Sequence, residues 1–224
     1  MKESTIVFNS IVKDWTRCFP EFGRYGSKQL LRILGPVAIG VELLKISPTT
    51  YRPEAILLNL VDDPRVKPLP MVYQFLKGKN QVQIQVPFEK HNSLIGRVSG
   101  IMREQASIIV EPLPSLSDIM NWIIRFLNED YVKGTNTFHQ YRTVMMLSKL
   151  LKDDKLGMEY FSKAMKNIQE MPKWILETGT GGFESWLEHM KCIEPEQLID
   201  NLKVNTEHWK MTNLPLCKSH PGML

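Results

Sequence analysis

Between Leu30 and Val61 the chain carries apolar runs separated only by turn signals, and this stretch most constrains the fold. Leu30 to Leu34 is followed by Gly35-Pro36, then by Val37-Ala38-Ile39-Gly40-Val41-Glu42-Leu43-Leu44. Ser47-Pro48-Thr49 marks a second turn, and Tyr51 to Val61 reads as the next strand. Pro53 belongs near the start of that strand or at a sheet edge, because proline cannot donate to a ladder. Asp62 to Pro70 reads as a loop. Val82, Ile84, Val86 and Phe88 alternate with polar or small residues, the pattern of a half-buried strand. Ser107 to Val110 reads as a last strand.

Helical spacing brackets this β-rich stretch. Ser4 can cap an opening helix in which Val7, Ile11, Trp15 and Cys18 form one apolar stripe, and Pro20 ends it. Phe22-Gly23-Arg24-Tyr25-Gly26 then reads as a turn. A further helix begins at about Ser93, with Leu94, Ile95, Val98, Ile101 and Met102 on one face. The front of the chain is therefore α+β with an antiparallel sheet, not a βαβ alternation.

After Pro112-Leu113-Pro114 the period changes to 3.6. Ser115 or Ser117 can cap a helix carrying Ile119, Trp122, Ile123, Phe126 and Leu127 on one face. Helices follow over about 137–152, 155–171, 182–192 and 195–203. The expected organisation is an α+β domain (1–113), an all-helical domain (114–212) and an extended tail (213–224). Gly157, Tyr160, Phe161 and Ala164 look like the second helix of a tetratricopeptide unit. No second copy is visible, and an irregular helical bundle is the better reading.

Composition excludes several classes. With 43% apolar residues, 9 Phe, 5 Trp and 6 Tyr, the chain can bury a core and is not a disordered one. Three cysteines are too few for a disulfide framework. Residues 33–44 fall far short of the roughly 20 apolar residues a membrane span needs. The start of the chain lacks the apolar run of a signal peptide. A cytosolic protein away from membranes is expected. Residues 1–113 hold 15 Lys and Arg against 10 Asp and Glu, and the remainder holds 13 against 14. The basic front half therefore permits an anionic partner without demanding one.

No catalytic signature stands out. His189-x-x-Cys192 and Cys217-x-x-His220 supply two His and two Cys at spacings zinc accepts, but a packed helix and a tail explain them more simply. The glycines of Glu177-Thr178-Gly179-Thr180-Gly181-Gly182-Phe183 lack the preceding strand and following Lys of a phosphate loop, and suit a helix end. Asp62 and Asp63 have no Glu-x-Lys on the following strand, as a metal-dependent nuclease would need. Gly-x-Ser-x-Gly is absent from the sequence. No metal or cofactor is expected.

The leading expectation is a non-catalytic interaction subunit, accessory or scaffold, of a larger cytosolic complex with other protein subunits as partners. Its kind, for example a bacterial defence-type assembly, is carried by no residue. Twelve Met, five of them between 145 and 171, suit an adaptable contact surface. One alternative is a nucleic-acid-binding component in which Arg24, Lys28 and Arg32 meet phosphates beside Trp15, Phe22 and Tyr25. The other is an enzyme whose residues converge only in space.

Overall fold

The computed structural model describes residues 2–64, 68–132, 137–170, 188 and 190–217. Helix α1 (Lys2–Cys18) is followed by strands β1 (Gly23–Tyr25), β2 (Gln29–Leu34), β3 (Val37–Ser47), β4 (Thr50–Asn59), β5 (Pro70–Phe75) and β6 (Val86–Pro87). Helices α2 (His91–Gln105), α3 (Leu116–Leu127), α4 (Phe138–Leu151), α5 (Asp154–Gln169) and α6 (Pro195–His208) follow, with 3₁₀ turns at Phe88–Lys90 and Ser107–Ile109. The strands form one antiparallel meander in the order β1-β2-β3-β4-β5, with β6 pairing β4. The expected α+β class, an antiparallel sheet with flanking helices followed by helices, is the one observed.

The sheet is built as the turns predict. Gly35-Pro36 closes a two-residue loop between Leu34 and Val37, and β3 pairs with β4 from Val37↔Asn59 to Ser47↔Thr50. Pro53 sits inside β4 opposite Leu43. The Leu43 amide donates to the Lys28 carbonyl on the other side, so Leu43 and Pro53 exchange no backbone hydrogen bond. The missing N–H of Pro53 therefore faces the opposite edge of β4. There β6 pairs only Thr50 and Tyr51, and β5 begins at Glu54. Proline falls in the gap between two partner strands.

Four local expectations need correction. Residues 23–25 form β1, not a turn, because Gly23, Arg24 and Tyr25 find partners in Leu31, Leu30 and Gln29. The alternation from Val82 to Phe88 yields only the two-residue β6. Val82 is 67% exposed, and the chain there curls back, with the Gly78 amide donating to the Val82 carbonyl. The edge is taken by β5, which begins at Pro70, the last residue of the expected loop, and was not read as a strand because Tyr73 and Gln74 interrupt its apolar run. Ser107–Ile109 is a 3₁₀ turn, since the amides of Ile109 and Val110 are spent on Ala106 and Ser107 carbonyls.

Helix α1 begins at Lys2, so Ser4 lies inside it and does not cap it. Most of the expected helix over 182–192 lies outside the described residues. The other helices follow their sequence signals closely. Ser115 caps α3 in a reciprocal box with Asp118, whose carboxyl is held below its usual range by the Ser115 hydrogen bonds. In α1 the buried stripe is Ile11, Val12 and Trp15, continued by Phe19, while Val7 is exposed. Trp15 of α1 and His91 of α2 both meet Tyr51 of β4, which places these helices on one face of the sheet. Helices α3 and α4 pack against β5, and α6 packs against α4. The buried side chains of sheet and helices form one contiguous cluster. Among the described residues no helix is long and apolar enough to cross a membrane.

Candidate functional site

Two polar systems lie inside the sheet layer. The first is a charged row across the strands. Register sets Gln29, Glu42, Glu54 and Phe75 side by side on β2, β3, β4 and β5. Two buried carboxylates thus stand directly opposite each other, Glu42 at 6% and Glu54 at 5% exposure. Each holds a cation: Lys28 Nζ pairs with Glu42 Oε1, and Arg52 Nη2 lies 2.6 Å from Glu54 Oε1. Arg52 also donates to Gln83 Oε1 at 3.0 Å and covers the Phe75 ring at 4.5 Å. Burial raises the Glu54 carboxyl above its ordinary value and the facing Glu42 adds to this, against the pull of Arg52 and Lys28.

The second system lies on the other face, three residues away along β4. Trp15 Nε1 donates to Tyr51 Oη at 3.0 Å, and Tyr51 Oη meets His91 Nδ1 at 2.8 Å. His91 Nε2 lies 3.3 Å from Asp14 Oδ2. With the Tyr51 hydroxyl donating to Nδ1 and Nε2–H donating to Asp14, every group in the chain is satisfied. Burial pushes Tyr51 up to about 12 and lowers His91. Carboxylate, imidazole and phenol in line resemble a proton relay in composition. Here the line ends on the indole of Trp15 in the packed core, and it ties α1, α2 and β4 together.

The residues singled out from sequence are dispersed. Arg24 is exposed and bonded to Asn9 Oδ1 and the Gly26 carbonyl. Lys28 is spent on Glu42. Arg32 is 4% exposed, with Nη2 donating to the Glu111 carbonyl and its guanidinium 5.8 Å from the Phe22 ring. These three cations do not share one open surface. The Cys217 thiol donates to the Pro112 carbonyl at 3.3 Å, while Cys192 is exposed. His189, His220 and the glycine segment 177–183 lie outside the described residues. Among the described residues no group of three or more His, Cys, Asp and Glu is arranged to hold a metal. Asp62 pairs with Arg142 at 2.5 Å, which ties it to α4.

An apolar groove lies in the helical half. Met145 and Ser148 of α4, Gly157, Met158 and Phe161 of α5, and Met190 line a groove of about 330 Å³. Helices α4 and α5 come close at Gly157, where a Cβ would lie 2.8 Å from Ser148 Oγ. Met158 is 64% exposed on the groove wall. Lys149, Lys191 and Asp154 stand at its margin. The Lys149 ammonium donates to the Ile193 carbonyl, which fixes it there.

No family model, curated protein or solved structure matches the chain.

Sequence reasoning missed Glu42, Glu54 and the Asp14–His91–Tyr51 line. Glu42 and Glu54 did carry a signal, as acids inside apolar strand runs. Their pairing depended on a register that only the folded sheet supplies. Of the five methionines between 145 and 171, Met145 and Met158 line the groove.

Proposed function

We propose that this chain is a non-catalytic interaction subunit of a larger cytosolic complex, and that its α4–α5 groove takes an amphipathic helix of a partner protein. The observation that carries this reading is the methionine-lined groove with Met158 standing open on its wall. Methionine suits such a role because its unbranched, polarizable side chain repacks around different apolar contacts. Two lysines against one aspartate at the margin favour a partner helix with acidic residues flanking its apolar face. The acid–base groups of the sheet support the same reading, since the Glu42–Glu54 row and the Tyr51 line are each closed on internal partners.

Native mass spectrometry of the protein purified from its host at low salt tests this. The expected result is a species heavier than the 25.9 kDa chain containing a second polypeptide, lost when Met158→Glu is introduced. The polypeptide identified is then titrated directly, and Met158→Glu weakens it by at least about tenfold, as expected for a central apolar contact. A bare monomer from both proteins sinks the reading. A nucleic-acid adduct without a second polypeptide moves the weight to the basic front half and Arg24.

A further inference from the structure

The outer edge of β2 is completed by two separate pieces of chain. β1 covers it only as far as Leu31, which pairs with Gly23. The next outward-facing backbone groups, those of Ile33, are taken by residues near the end of the described chain. The Ile33 amide donates to the Pro215 carbonyl at 2.9 Å, and the Cys217 amide donates to the Ile33 carbonyl at 2.9 Å. Leu216 lies between them in a parallel bridge to Ile33. Gly23 makes room for this arrangement. A Cβ there would lie 2.7 Å from Pro215 Cδ and 3.1 Å from Leu214 Cδ2.

This seat has a readable specificity. The Leu214 side chain is buried, the proline lies over the Gly23 notch, and Cys217 reaches the Pro112 carbonyl. Leu216 is 72% exposed, so its side chain is not read. Proline costs nothing here, because the edge uses only its carbonyl. The seat belongs to a strand buried in the sheet, whereas its occupant holds the edge by two backbone hydrogen bonds.

We propose that the edge of β2 at Ile33 is a strand-addition site for an extended, parallel segment of a partner protein with the pattern Leu-Pro-x-Cys or Leu-Pro-x-Ser, and that residues 214–217 occupy it in cis. A partner carrying the pattern replaces the chain's own segment and repeats its backbone bonds to Ile33. The site is separate from the α4–α5 groove and does not rest on the reading given to that groove.

The test uses the full chain and a fluorescein-labelled peptide of the sequence of residues 211–217, followed by fluorescence anisotropy. Leu214→Ser loosens the chain's own segment while leaving β2 and Gly23 intact. It is expected to bind the peptide at least about tenfold more tightly than the wild type does. Gly23→Val fills the notch and abolishes binding, as does a peptide with Glu in place of its proline. Failure of Leu214→Ser to bind overturns the proposal, and so does equal binding by the Glu-substituted peptide. Hydrogen exchange on the wild type covers the case in which a variant does not fold. Ile33 and Arg32 are neighbours, but the Arg32 amide faces β3, where it pairs with Ile39. The Ile33 amide exchanges at least about tenfold faster than that of Arg32 if residues 214–217 detach by themselves. Equal rates would show that the edge opens only with the sheet, which overturns the proposal.

Discussion

Glu54 is a residue whose chemistry the fold changes in a measurable direction. Its carboxyl is held above the ordinary value of 4.5, chiefly by burial. The folded chain therefore binds that proton more tightly than the unfolded chain does. The resulting stabilisation is complete below the unfolded value and is lost as pH rises through the folded one. Glu54→Gln carries no proton to lose. The stability difference between Glu54→Gln and the wild type should be flat in strong acid. It should then grow in favour of the variant as pH rises through the carboxylate range, read by urea denaturation at each pH. A difference independent of pH would show that the carboxyl is not held up. Tyr51 shows the opposite use of a buried polar group, since its hydroxyl accepts from Trp15 and donates to His91 and so is itself fully partnered.

Among elements, the β2–β3 hairpin carries Gln29 and Glu42 of the charged row. Its register brings Gln29 opposite Glu42 and Leu31 opposite Gly40. A Cβ on Gly40 would lie 1.9 Å from the Leu30 carbonyl oxygen, a backbone atom that no side-chain rotation can move aside. Gly40→Ala must therefore push β2 away from β3. The expected cost is about 3 kcal/mol or more, at the upper end for an overpacked core, seen as a lowered urea midpoint. A change below about 0.5 kcal/mol would mean that the strands separate freely at this point. The β2–β3 pair was plain in the sequence, because apolar runs flank Gly35-Pro36. β5 was not, because Pro70, Tyr73 and Gln74 break the apolar run, and its pairing with β4 holds it in place. Cross-strand partners override a weak local pattern.

In the whole molecule, sheet and helices share one core and are also stitched by polar side chains. Asn205 of α6 donates to the carbonyls of Leu60 and Asp62 at the end of β4, each at 2.8 Å, and accepts from Trp209 Nε1. Asn201 donates to the Val61 carbonyl at 3.1 Å. Asn205→Ala removes the partner of one buried acceptor, one half-buried acceptor and one half-buried donor, at an expected cost of about 1–3 kcal/mol. With one core spanning both parts, tryptophan fluorescence and far-ultraviolet circular dichroism should shift together in urea. Separate midpoints would show that α6 detaches before the sheet unfolds.

The amino-acid sequence by itself determined the α+β class, the sheet from Leu30 to Asn59, the caps of α3 and the helical character of the back half. These follow from turn residues and apolar periodicity, which act over a few residues. The helix stripes were nearly as legible, though Val7 and Cys18 of the α1 stripe gave way to Val12 and Phe19 as the buried set. Tertiary structure alone decided which polar groups meet. Glu42 finds Glu54 through strand register, Asp14 finds His91 across 77 positions, and Pro215 finds Ile33 across most of the chain. Arg32, read from sequence as one of a cluster of cations, is 4% exposed because its side chain lies against the Phe22 ring and the Glu111 carbonyl on a covered face of β2. Local pattern fixes which face of an element is apolar, but long-range pairing fixes its neighbours, and the chemistry of a polar side chain depends on those neighbours.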